Sequence, residues 1–270
     1  MGKHNQPLTG KIVVVTRAPE QSQELTDALE ALGAQVQHLP MVSFAPTENF
    51  DELDSALRRF AEFDWIVFTS QNAVRFLFRR GCELKARRAV QPARPLIAAV
   101  GAATAQAARN LDIRVDYVAQ TSSGEALAAE LRDRISGTTV LLPRSDRADD
   151  RMPALLREAG ANVVEVVAYR TTMPESFDPA ILESARRGEV NVIVFASPSA
   201  FENFRVAITP ANAAELSKEM QFAAIGPTTA AAIREAGIQV GIEANESSVA
   251  GLAEAIARYY QNSSSTVRHE

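Results

Sequence analysis

The chain repeats itself, and that repeat restricts its fold more than any other feature. The run Ile12-Val13-Val14-Val15 with Thr16 and Arg17 returns 127 residues later as Thr139-Val140-Leu141-Leu142 with Pro143 and Arg144. Leu32-Gly33-Ala34-Gln35-Val36 returns at the same spacing as Ala159-Gly160-Ala161-Asn162-Val163. Farther on, Trp65-Ile66-Val67-Phe68 is answered by Val192-Ile193-Val194-Phe195, and Gly101 by Gly226 at a spacing of 125. Within each copy, short apolar runs alternate with helical stretches. Unbroken β-branched runs suit strands buried on both faces of a parallel sheet. Leu25, Ala28, Leu29 and Leu32 fall on one helical face, which Gly33 ends. The expectation is an α/β protein made of two similar five-strand, doubly wound parallel-sheet units. Pro40, inside the run Val36 to Val42, marks a sheet edge or a crossover.

One position breaks the match. Tyr169 stands where the first copy has Val42, at the end of the strand read from Val163 to Ala168. An ionisable hydroxyl at a strand end, present in one copy only, is a candidate for chemistry. Its alternative is to cover an apolar edge.

Composition narrows the function classes. A net charge of −5 and a pI near 5.4 argue against a general nucleic-acid or anionic-membrane surface. Cys82 is the single cysteine, which rules out an intramolecular disulfide and suits a reducing compartment; it reads as a buried small hydrophobe. The polar start and the lack of a membrane-length apolar run point to a cytoplasmic, soluble chain. His4, His38 and His269 are scattered, so neither a metal centre nor a histidine base is expected. Gly101 and Gly226 are single glycines outside any nucleotide fingerprint, and no cofactor is expected. The polar residues from 262 to 270 read as a disordered tail.

In an open parallel sheet, ligands gather at the carboxyl ends of the strands. There the sequence places Thr69-Ser70-Gln71-Asn72, Gly101 to Thr104, Thr121-Ser122-Ser123, Ser197-Pro198-Ser199, Gly226 to Thr229 and Ser247-Ser248. All are small, mostly hydroxylated, and just ahead of a helix. Each can serve simply as an N-cap. Alternatively, their N–H groups and the positive helix ends bind anions. Six such loops together would suit a ligand with many negative groups. Arg17 and Arg144 follow the first strand of each copy, where a planar fork suits a carboxylate. Arg147 and Arg151 read equally well as solvated loop residues.

Four segments together resemble uroporphyrinogen-III synthases: Phe68-Thr69-Ser70-Gln71-Asn72-Ala73-Val74, Phe195-Ala196-Ser197-Pro198-Ser199-Ala200, Ala224-Ile225-Gly226-Pro227-Thr228-Thr229-Ala230, and Leu156 to Ala161 continuing through Ala168-Tyr169-Arg170-Thr171. The resemblance spans about Gly10 to Tyr260. It implies two α/β domains that are not the two tandem copies. The first would be discontinuous, 1–42 plus 173–261, the second 43–172, with a two-strand hinge near Pro40 to Phe44 and Val167 to Thr171. It also implies closure of hydroxymethylbilane, a linear tetrapyrrole with eight carboxylates, to uroporphyrinogen III with loss of water and inversion of the last ring. By the same resemblance Tyr169 would be catalytic, and Arg17, Thr69, Ser70, Thr104, Ser122, Arg144, Ser197, Ser199 and Thr228 would meet substrate. Asn72 stands where some relatives carry a basic residue. A monomer is expected, with the upstream bilane synthase as a transient partner and neither nucleic acid nor membrane. The competing reading is a non-catalytic module that binds a tetrapyrrole or another polyanion on the same scaffold.

Overall fold

The computed structural model describes residues 6–84, 95–121 and 123–266. In chain order the strands are β1 (Ile12–Val15), β2 (Gln35–His38), β3 (Ser43–Pro46), β4 (Trp65–Phe68), β5 (Leu96–Ala99), β6 (Tyr117–Val118), β7 (Thr139–Ser145), β8 (Asn162–Thr172), β9 (Val192–Phe195), β10 (Gln221–Ala224) and β11 (Ile242–Glu243). The α-helices are α1 (Pro19–Ala31), α2 (Asp51–Arg58), α3 (Gln71–Glu83), α4 (Ala102–Arg109), α5 (Gly124–Ile135), α6 (Arg151–Glu158), α7 (Pro179–Arg186), α8 (Pro198–Ile208), α9 (Pro210–Glu219), α10 (Pro227–Glu235) and α11 (Val249–Thr266). The chain is α/β, as its repeat predicts.

Its contacts divide it into two compact units, 1–43 with 172–270, and 44–171. The first holds a five-stranded sheet in the order β11-β10-β9-β1-β2, parallel throughout. The second holds a six-stranded sheet in the order β3-β8-β7-β4-β5-β6, parallel from β8 to β6. Each sheet therefore mixes the tandem copies. β1 and β2 of the first copy pair into a sheet with β9, β10 and β11 of the second, while β7 and β8 of the second join β4, β5 and β6 of the first.

Strand burial explains the unbroken apolar runs. In the first unit Val13, Val15, Val192 and Val194 pack under Leu25 and Leu29 of α1 and Leu252 and Ile256 of α11. The opposite face carries Phe195 and Phe222 against Phe201 and Phe204 of α8. In the second unit Ile66, Phe68, Ile97 and Leu141 pack with Leu53, Leu57, Val74 and Leu77 of α2 and α3. Trp65, Val67, Val140 and Leu142 face the other way, onto Leu127, Leu131 and Leu156 of α5 and α6. Each such buried aliphatic side chain contributes about 1.5–3 kcal/mol.

Two expectations need correction. Cys82 is exposed on α3 rather than buried, because that turn points away from the apolar face that carries Val74 and Leu77. Helix α11 runs through Thr266, past the point where a disordered tail was expected. A growing helix adds one hydrogen bond per residue, and no glycine or proline from 261 to 266 stops it. Between α8 and α9 the chain turns at Thr209, whose φ is 72°, and Pro210 starts the next helix.

Candidate functional site

Tyr169 owes its position to a β-bulge. Arg144 pairs with Val167 and Ser145 with Tyr169, so Ala168 is the extra residue on β8. Strict alternation would send Tyr169 to the face opposite Val164, Val166 and Ala168. The bulge instead puts it in the same apolar cluster as those three. Its ring stacks on Phe76 of α3, with centroids 5.5 Å apart, and meets the edge of Phe44 of β3 at 5.7 Å. Only 7% of the residue is exposed.

The hydroxyl is the polar end of this buried ring. Ser70 Oγ lies 3.0 Å from it and also accepts a hydrogen bond from the Ala73 N–H at the start of α3. Ser145 is the register partner of Tyr169 on the neighbouring strand, and its hydroxyl acts on the phenol from there. Ser145 Oγ in turn donates to Asp146 Oδ1 at 3.0 Å and lies 3.0 Å from Thr171 Oγ1. Asp146 accepts from the Thr171 N–H at 2.9 Å, and its own N–H donates to the Tyr169 carbonyl at 3.1 Å. Burial raises the phenol above its ordinary value; the bond to Ser70 opposes this, the Asp146 charge adds to it, and Ser145 opposes it. Tyr169 is thus held neutral. Ser145, Asp146, Phe44 and Phe76 were not singled out in the sequence, where Ser145 and Asp146 read only as a polar turn.

The paired arginines have different fates. Arg144, 8% exposed, is engaged by its own chain: it pairs with Glu165 and Asp150 and donates to the carbonyls of Ala148 and Asp149. That corrects its reading as a free carboxylate fork, since the guanidinium braces the loop after β7. Glu165 sits opposite Leu142, and the matching position opposite Val15 is His38. Arg17 therefore has no such partner, and among the described residues its side chain makes no hydrogen bond or ion pair. It is half-buried, and burial lowers its pKa, with Glu24 pulling the other way. A desolvated cation of this kind lacks an anion.

The helix-start loops also divide. Ser70, Ser123, Ser197 and Ser248 accept from N–H groups of their own helices, as ordinary caps do. Ser197 Oγ also lies 3.1 Å from Ser199 Oγ. Gly101 and Gly226 have no side chain to cap α4 and α10, whose first-turn donors lack a side-chain acceptor. The Gly226 turn is close-packed: an added Cβ would stand 2.1 Å from Ser247 Oγ, so a larger residue requires the Ser247 side chain to move. Thr228 is exposed on the first turn of α10, Thr104 is buried at 5%, and Thr69 is partly exposed. Ser122 lies outside the described residues. Asn72 is 2% exposed in α3. In the first unit the parallel strands bring Arg17, Ser197, Ser199 and Thr228 to the carboxyl edge of one sheet; in the second they bring Thr69, Ser70, Thr104, Arg144 and Tyr169 to the carboxyl edge of the other.

These features have counterparts in known proteins. Residues 23–254 match the family described as uroporphyrinogen-III synthase HemD. A uroporphyrinogen-III synthase of Synechococcus elongatus is 31% identical over 259 residues, covering 94% of this chain and 97% of that protein. Another, of Chlorobaculum parvum, is 28% identical over 234 residues, covering 86% and 92%. The fold is similar to that of uroporphyrinogen-III synthetase from Helicobacter pylori, with a TM-score of 0.61 at 15% identity over 92% of this chain and 99% of that one. It is also similar to a mutant uroporphyrinogen III synthase of Thermus thermophilus, with a TM-score of 0.59 at 19% identity over 93% and 99%. A duplicated α/β chain with these loops, matched along nearly its whole length, belongs to the uroporphyrinogen-III synthase family.

Proposed function

We propose that this chain closes hydroxymethylbilane to uroporphyrinogen III, with loss of water and inversion of the last ring, as the enzyme of that step in tetrapyrrole synthesis. The observation that carries this reading is the bulge-placed Tyr169, a neutral phenol fixed by Phe44, Phe76, Ser70 and Ser145 within a family-length match. A binding module would have no need to orient one hydroxyl so tightly.

Each step has residues suited to it. Tyr169 meets the hydroxymethyl oxygen, whose loss as water leaves an azafulvene. The terminal pyrrole then attacks through its substituted carbon, and the spiro intermediate opens and recloses inverted. The unassisted closure gives the other isomer, so holding the two ends in the inverting geometry supplies much of the selectivity. Taken unit by unit, Arg17, Ser197, Ser199, Thr228 and the N–H groups of α10 suit carboxylates in the first, and Thr69, Thr104 and the N–H groups of α4 suit them in the second. No metal or organic cofactor enters. The chain works as a cytoplasmic monomer, receiving an unstable substrate from the upstream bilane synthase by transient contact. Among the described residues, no helix is long and apolar enough to cross a membrane.

The test is consumption of freshly made hydroxymethylbilane under single-substrate kinetics. Thr228→Ala is expected to raise KM about tenfold or more with kcat nearly unchanged, about 1.5–3 kcal/mol for one hydrogen bond to a charged group. An unchanged KM would return that loop to plain helix initiation.

A further inference from the structure

Asp146 is out of place in a site that gathers carboxylates. An acidic side chain beside a polyanion weakens binding, so its position at Tyr169 calls for a different task. Its carboxylate is exposed, whereas the Tyr169 ring is buried. Ser145 stands between them, opposite Tyr169 in the strand register on one side and donating to Asp146 Oδ1 at 3.0 Å on the other. Asp146 is held by the Thr171 N–H, and the bulge that aims Tyr169 is the same irregularity that brings Ser145 opposite it. The result is a row of exchangeable groups, Tyr169, Ser145 and Asp146, that leads from a buried ring to an exposed carboxylate.

We propose that Ser145 and Asp146 are positioning residues that make Tyr169 a proton conduit, taking one proton in when water leaves the substrate and passing one out when the last ring closes. This rests on the synthase reading above. In the first step the hydroxymethyl C–O bond breaks, and its electron pair leaves with the oxygen. That oxygen takes the Tyr169 proton and departs as water, while the pyrrole nitrogen lone pair forms the new C=N bond. As it gives up that proton, Tyr169 takes one from Ser145, and Ser145 takes one that has reached Asp146 from solvent. In the last step the closing ring carbon loses its proton, and the C–H electron pair restores the aromatic pyrrole. That proton goes to the Tyr169 oxygen as the Tyr169 proton moves to Ser145 and the Ser145 proton to Asp146, which releases it to water. One proton enters, one leaves, nothing is oxidised or reduced, and no tyrosinate forms in the buried site. The Asp146 charge also favours the cationic azafulvene stage.

Asp146→Asn separates charge from shape, because the amide oxygen still accepts from the Thr171 N–H. Ser145→Ala removes the middle link, and Asp146→Glu restores the carboxylate. The experiment measures kcat, KM, product isomer and solvent deuterium effect for the wild type and all three variants, with thermal melting as the folding check. Expected are a wild type making type III, kcat lowered about 10- to 100-fold in Asp146→Asn and Ser145→Ala with KM little changed, and partial recovery in Asp146→Glu. The solvent deuterium effect on kcat is expected to change in both damaged variants. Wild-type kcat in Asp146→Asn and Ser145→Ala, or a change confined to KM, would overturn the conduit and leave the synthase standing. A wild type yielding only type I would overturn both together.

Discussion

Tyr169 is neutral at ordinary pH as any phenol is, burial pushes its pKa further up, and a neutral phenol with a fixed orientation is what departure of water requires. Tyr169→Phe keeps the stack on Phe76 and the edge contact with Phe44. Melting temperature is therefore expected to shift little while kcat falls about 100-fold; equal loss of both would make Tyr169 a packing residue. Because the folded value lies above that of the unfolded chain, the group costs no stability below about pH 10, and stability falls as pH rises beyond it. The arginines make a sharper comparison. Arg144→Ala is expected to destabilise by about 1–3 kcal/mol, since it leaves two loop carbonyls without their donor and Glu165 with Arg157 alone. Arg17→Ala is expected to raise KM and leave melting unchanged. The reverse pattern in denaturation and kinetics would show that the wrong arginine has been assigned to substrate. Sequence treated the two alike because both follow a first strand. The difference lies in the residue opposite, Glu165 against His38, and pairing across strands is not visible from spacing alone.

At the scale of elements, the strands and most helices were legible because parallel strands buried on both faces must be apolar throughout, and the copies repeat them. The bulge was not legible. It is a mismatch of register between β7 and β8, and neither strand alone carries its signal, although the failure of Tyr169 to match Val42 marked the position. The capping serines were also ambiguous, since a cap and an anion site use the same residues. Here two helices can be separated by experiment. Ser70→Ala and Ser123→Ala each remove one N-cap, of α3 and α5, and each is expected to cost about 0.5–2 kcal/mol in urea unfolding. Only Ser70→Ala is expected to lower kcat as well, because only Ser70 also holds the Tyr169 hydroxyl. A similar kcat loss in Ser123→Ala would mean that helix stability, not the hydrogen bond, controls turnover.

For the whole molecule, the exchange of strands between copies has a consequence for folding. Residues 44–171 form one unit from a continuous stretch, whereas the other needs both 1–43 and 172–270, with β1 between β9 and β2 in its sheet. The fragment 44–171 is expected to unfold cooperatively by itself, and 172–270 to stay unfolded, because β9 then lacks its β1 partner. Circular dichroism against urea reads this directly, and a cooperative transition in 172–270 alone would contradict it. The duplication made the class of fold plain, but tandem copies on their own suggest tandem domains; only the family resemblance pointed to the crossed arrangement. The account as a whole rests on the product. Purified chain incubated with freshly made hydroxymethylbilane, followed by oxidation and separation of the uroporphyrin isomers, is expected to give mostly type III. Mostly type I, formed at the rate of the protein-free control, would contradict the account and leave a scaffold that binds without closing the ring.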